Sequence, residues 1–134
     1  MSPASTFTTP LRLEFEDDTR FKLTEPFEFA SEVTESVISI PAGFVTDFAS
    51  IPRGLWNIFP PAGKWGKAAV VHDWLYQTQN ATTHLVTRAE ADAVLKEGME
   101  VLGVSRWARW TIYAGIRAGG WATWNKYRSA MHTL

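Results

Sequence analysis

With 134 residues, 46% of them apolar and 20% charged, the chain has a globular composition that closes one core and excludes both disorder and a second independent core. It has no cysteine for disulfides or a cysteine zinc site, no run of about eighteen apolar residues to span a membrane, and no basic start and apolar core of a signal peptide over Met1 to Pro10. The net charge of −1 conceals a split, with nine acids and three bases in residues 1–50 and five acids and ten bases in residues 51–134. Either two faces of the fold attract one another, or a basic face is offered to a phosphate-bearing partner.

From Leu11 to Ile40 apolar and polar residues alternate: Leu11, Leu13 and Phe15, then Phe21 and Leu23, then Phe27 and Phe29, then Val37. Period two predicts half-buried strands, and the turn-prone Asp17-Asp18-Thr19 and Glu25-Pro26 separate them. Residues 5–45 therefore read as a β-meander of three or four short antiparallel strands. Over 46–66 the breakers Ile51-Pro52-Arg53-Gly54 and Phe59-Pro60-Pro61-Ala62-Gly63 predict a loop. A helical part over 67–128 follows, with helices expected at about 64–78, 88–102 and 106–127. The second opens with Thr87-Arg88-Ala89-Glu90, a capping box in which hydroxyl and carboxylate satisfy free amides of the first turn, and closes near Gly103. Strands followed by helices predict a single α+β domain over 1–134, its helices packed on one face of a small antiparallel sheet.

The first helix contains Lys67-Ala68-Ala69-Val70-Val71-His72-Asp73-Trp74-Leu75-Tyr76-Gln77, in which two ionisable residues sit among apolar ones. Ala69, His72, Asp73 and Tyr76 form one stripe, and the remaining positions are apolar as well, so the helix is expected to be enclosed and its charges to need partners. If the first two helices turn back over residues 79–87, His72 stands about seven residues before the turn and Asp92 about five after it, at matching heights. Asp92 would then fix one imidazole nitrogen and leave the other as a base for water, while Asp73 points toward a cation or toward a loop. The other reading is a structural clasp, in which one carboxylate satisfies a buried histidine and locks two helices together.

These residues resemble the secretory phospholipases that cleave the sn-2 ester and their relatives in parvovirus capsids, which carry H-D-x-x-Y on one helix and an Asp on the antiparallel next one. The likeness covers residues 66–100. It implies His72 as general base, Asp92 as its orienting carboxylate, Tyr76 as a supporting hydroxyl and Asp73 as a calcium ligand. Residues Gly43 to Arg53, with Thr46-Asp47-Phe48-Ala49-Ser50-Ile51-Pro52, the His-Asp-Trp-Leu-Tyr run and Arg88-Ala89-Glu90-Ala91-Asp92, also resemble a family of small proteins of tailed phages and prophages. That resemblance implies a phage origin, in the host cytoplasm or the virion. Asp47 and Ser50 either bring a carboxylate and a hydroxyl to the same site, where Asp47 would join Asp73 as a metal ligand, or cap their own turn.

Trp107, Trp110, Trp121 and Trp124 fall at offsets 0, 3, 14 and 17, one face of a long helix, with Arg106, Arg109, Arg117, Lys126 and Arg128 on the same segment. The domain's own sheet covers this stripe, or it meets a lipid headgroup layer or another protein. Gly115 and Gly119 would let another helix approach closely, from within the domain or from a second copy. His84 and His132 read as surface residues. Two functions follow: a calcium-assisted or other divalent-metal hydrolase of lipid esters, or a phage virion, tail or host-interaction protein whose tryptophan face meets a phage or host protein. A peptidoglycan-active metal hydrolase uses the same acids and histidine. No nucleotide-binding glycine loop or base-reading motif is present, so nucleic acid is not an expected partner.

Overall fold

A computed structural model describes residues 5–18, 20–56, 58–59 and 64–132. Among the described residues six strands come first: β1 Thr6–Phe7, β2 Leu13–Phe15, β3 Phe21–Leu23, β4 Phe27–Ser31, β5 Ser36–Ile40 and β6 Val45–Thr46. The helices follow: α1 Arg53–Trp56, α2 Gly66–Thr78, α3 Arg88–Val101, α4 Arg106–Gly119 and α5 Trp121–His132. The fold class is α+β, strands before helices, as the periodicities require. Among the described residues no helix is long and apolar enough to cross a membrane.

The strands form two antiparallel sheets rather than one meander, in the orders β1-β4-β5 and β2-β3-β6. The hairpins β2-β3 and β4-β5 pair as neighbours, but the chain breaks between β3 and β4 at Glu25-Pro26, where proline offers no amide to a ladder. Each hairpin gains its third strand from elsewhere: β1 on β4, and β6 on β3. Phe27 and Phe29 of β4 stand opposite Ile40 and Ile38 of β5, and all four are fully buried. They face Ala68, Val71 and Leu75 of α2 and Val94, Leu95 and Met99 of α3 in one core.

Helices α2 and α3 form the expected hairpin. His72 meets Asp92, and Gly98 lies so close to Ala68 that a Cβ on it would stand 2.9 Å from the alanine Cβ. Pairs whose numbers sum to a near-constant value mean antiparallel axes. The capping box of α3 is formed, Thr87 accepting from the Glu90 amide at 3.1 Å and Glu90 from the Thr87 amide at 3.0 Å.

The third expected helix is two helices. At the junction the Gly120 amide donates to Ile116 and its carbonyl accepts from Trp124, and a Cβ there would lie 2.6 Å from the Tyr76 hydroxyl. Glycine thus lets α2 press into the corner between α4 and α5. Gly115 and Gly119 accommodate Leu55 and Pro52, so the close approach they permit is filled from within the chain. The sheet does not cover the tryptophan stripe: Trp107, Trp110 and Trp121 are 69%, 68% and 57% exposed, and Trp124 alone is buried, edge-on to Tyr76 at 5.1 Å. His84 is exposed as expected, and the side chain of His132 lies outside the described residues.

Candidate functional site

Because α2 is apolar on nearly every side, it is enclosed by its neighbours, and its His72, Asp73 and Tyr76 are shut off from water with their partner Asp92. The imidazole is held at both nitrogens. Nε2 stands 2.7 Å from Asp92 Oδ1 and Nδ1 stands 3.0 Å from Ser50 Oγ. An ionised Asp92 keeps a proton on Nε2, and Nδ1 faces the Ser50 hydroxyl.

Asp92 gathers donors from three helices. The Tyr76 hydroxyl donates to Oδ1 at 2.7 Å, Arg117 of α4 donates to Oδ2 at 2.7 Å, and Arg88 reaches Oδ2 at 3.5 Å. Burial pushes this carboxyl up, but the hydrogen bonds and charge of His72, with those of Tyr76 and Arg117, outweigh it and hold Asp92 below the ordinary carboxylate value. The same contacts push Tyr76 the other way: burial first, then the charge of Asp92, raise its phenol far above the usual range.

Asp73 turns to the loop before α1. Its Oδ2 accepts from Thr46 Oγ1 at 2.5 Å and from Gln77 Nε2 at 2.9 Å, and its Oδ1 accepts the Ser50 amide at 3.3 Å. Burial raises its carboxyl, the Thr46 and Gln77 hydrogen bonds oppose this, and the net shift is upward. Asp47, half-buried, closes its own turn by accepting the Ala49 amide at 2.9 Å. No group of three or more histidine or acidic side chains is placed to hold a metal ion among the described residues. Both oxygens of Asp73 and Oδ1 of Asp47 receive hydrogen bonds from the loop and from Gln77.

His72, Tyr76, Asp92 and Asp73 thus come together, with Asp47 at the edge on the loop, and Ser50 joins them. Thr46, Gln77, Arg88 and Arg117 are partners that sequence reasoning did not assign. Gln77 and Arg88 were within its reach, standing four residues after Asp73 and four before Asp92, where helical side chains meet. Arg117 was grouped with the tryptophan stripe, and nothing local says that it turns inward. Chemically, the set offers a hydroxyl, an imidazole and a carboxylate in order, and a second carboxyl with a raised pKa, none of them open to solvent.

Fold and cluster define a small α+β domain organised around a buried, fully hydrogen-bonded His-Asp-Asp core. The chain belongs to the family described as "Protein of unknown function (DUF1353)", whose model matches residues 21–116. That span contains every member of the cluster except Arg117. The protein y4jT of Sinorhizobium fredii, described as uncharacterized, is 30% identical over 102 residues, which make up 75% of this chain and 29% of that protein. The chain therefore spans less than a third of that relative's length. No solved structure matches it.

Proposed function

We propose that the protein is a single interaction domain of phage or prophage origin, working in the host cytoplasm or the virion. The tryptophan face of α4 and α5 docks on an acidic protein surface, and the His-Asp-Asp cluster is the clasp that holds this face in shape. One observation carries the clasp: His72, Asp73 and Asp92 are each 0% exposed, with the imidazole nitrogens and the carboxylate oxygens all engaged by protein groups. A site that turns over substrate needs a path for it, whereas a clasp needs closure and satisfied hydrogen bonds. The cluster ties α4 down through Arg117 on Asp92, and two hydrogen bonds beside it hold α5, from Gln79 to the Trp124 carbonyl and from Thr123 to the Ala49 carbonyl.

Three exposed tryptophans on a segment without a side-chain carboxylate after Glu100, carrying Arg106, Lys126 and Arg128 beside the internally paired Arg109 and Arg117, fit a partner with acidic and apolar groups interleaved. The relative fits a module as well, since there the shared region is part of a much longer chain. Hydrolysis of a phospholipid ester by the wild type, with and without calcium, compared with His72→Gln, tests the reading. The expected result is no difference. Turnover in the wild type that is absent from a folded His72→Gln would overturn it.

A hydrolase acting on lipid esters, or on peptidoglycan, is the second reading. It is favoured by the order Ser50 Oγ, His72, Asp92 at 3.0 and 2.7 Å, which is that of a nucleophile, its base and an orienting acid. It requires a path for substrate to the buried cluster that leaves Ser50 beside His72.

A further inference from the structure

A cavity of about 400 Å³ opens where α2 ends, α3 begins and α5 passes over both, with Arg88 and Arg128 on its walls beside Trp124, Gln79 and Thr87. The charges around it do not balance. Asp92 is already compensated by Arg117 at 2.7 Å and by His72, whereas Arg88 touches the same carboxylate at 3.5 Å. Arg88 also donates to the carbonyls of Ile116 and Arg117 at 3.3–3.4 Å and interacts with the Tyr76 hydroxyl. Two guanidiniums thus address one carboxylate, the looser of them at the cavity edge. Arg128, on an exposed turn of α5, has no ion-pair partner among the described residues. The positive end of the α3 dipole adds to the same side, and Glu90 in the first turn of α3 spends an oxygen on the Thr87 amide. The rest of the lining is apolar: the indole of Trp124, braced by Tyr76, with Val86 and the 76% exposed Leu85 at the rim.

We infer that this cavity binds a small organic oxyanion, a carboxylate or phosphate carried on an apolar group, with the anion between Arg88 and Arg128 and the apolar part against Trp124 and Leu85. Bidentate geometry makes arginine pairs suited to such groups, and an adjacent aromatic wall selects anions with an apolar body. The inference is independent of whether the neighbouring cluster is a clasp or a catalyst.

Titration of the wild type with benzoate, phenyl phosphate, inorganic phosphate and phenol, followed by calorimetry and by the Trp124 indole resonance, tests it. Benzoate or phenyl phosphate is expected to bind and to shift that resonance, with inorganic phosphate and phenol each at least tenfold weaker. Whichever of the two bound probes is tighter identifies the oxyanion. Arg128→Gln, a substitution at an exposed position, is expected to keep the wild-type melting temperature and to weaken binding at least tenfold, with Arg128→Lys between the two. No binding of any probe, equal binding of phenol, or undiminished binding by a folded Arg128→Gln would overturn the proposal.

Discussion

Asp92 accepts four side-chain hydrogen bonds while shut off from water, and this makes it the residue on which the cluster depends. Asp92→Ala leaves Arg117, Arg88 and His72 facing an empty site. Breaking a buried charge pair from one side costs about 3–5 kcal/mol, so urea denaturation should show a loss of that size. The two buried aspartates should also give the pH profile opposite slopes. Asp92, held below its ordinary value, contributes stability that is present above about pH 4 and is lost as pH falls through its folded pKa. Asp73, held above its ordinary value mainly by burial, binds its proton more tightly folded than unfolded. Its contribution is therefore complete below about pH 4 and is lost as pH rises through its folded pKa. Calorimetric melting from pH 3 to 8 should show both limbs in the wild type, and Asp73→Asn should flatten the rising-pH limb alone.

The elements are set by distances that glycine permits. At Gly98 a Cβ would meet Ala68 Cβ at 2.9 Å, Phe7 Cζ at 3.3 Å and the Ala68 backbone at 3.5 Å, so α2, α3 and β1 converge on a point with no side chain. In an isolated helix Gly→Ala gains up to about 1 kcal/mol. Here overpacking of a closed core, about 1–3 kcal/mol, opposes it and wins because Ala68 is itself rigid. Gly98→Ala is expected to lower the melting temperature, and a rise would show that α2 and α3 separate without cost. Gly120 acts likewise at the α4-α5 corner, where the Tyr76 hydroxyl occupies the volume of a side chain. The α3 start draws on local chemistry alone: Thr87→Ala removes the capping box and should cost about 1 kcal/mol by denaturant titration.

For the whole molecule, the division of the four tryptophans separates stability from surface. Trp124 is buried against Tyr76, and Trp124→Ala should cost about 3–5 kcal/mol, measured by thermal or urea unfolding. Trp107, Trp110 and Trp121 stand mostly in water, and their replacement by serine should each change stability by no more than about 0.5 kcal/mol. If the triple variant unfolds instead, the face belongs to the core and not to a partner. The charge asymmetry runs through the molecule in the same way, as the ion pairs Arg12–Glu25 and Arg20–Asp17 lie in the acidic half and Arg109–Glu100 and Arg117–Asp92 in the basic one.

The sequence by itself determined the order of strands and helices, the capped start of α3 and the meeting of His72 with Asp92. Each of these is carried by local periodicity, or by counting residues to either side of one short turn. Only the tertiary structure decided that the strands form two sheets, that the third helix breaks at Gly120, that Arg117 turns inward and that three tryptophans stay outside. It also decided that Ser50 and Thr46 occupy the imidazole nitrogen and the carboxylate oxygens that the residue pattern had left for water and a cation. The physical reason is separation along the chain. Ser50 and His72, Thr46 and Asp73, Asp92 and Arg117, and Tyr76 and Gly120 meet across connections whose lengths set no common period, so their positions follow from how the whole core closes.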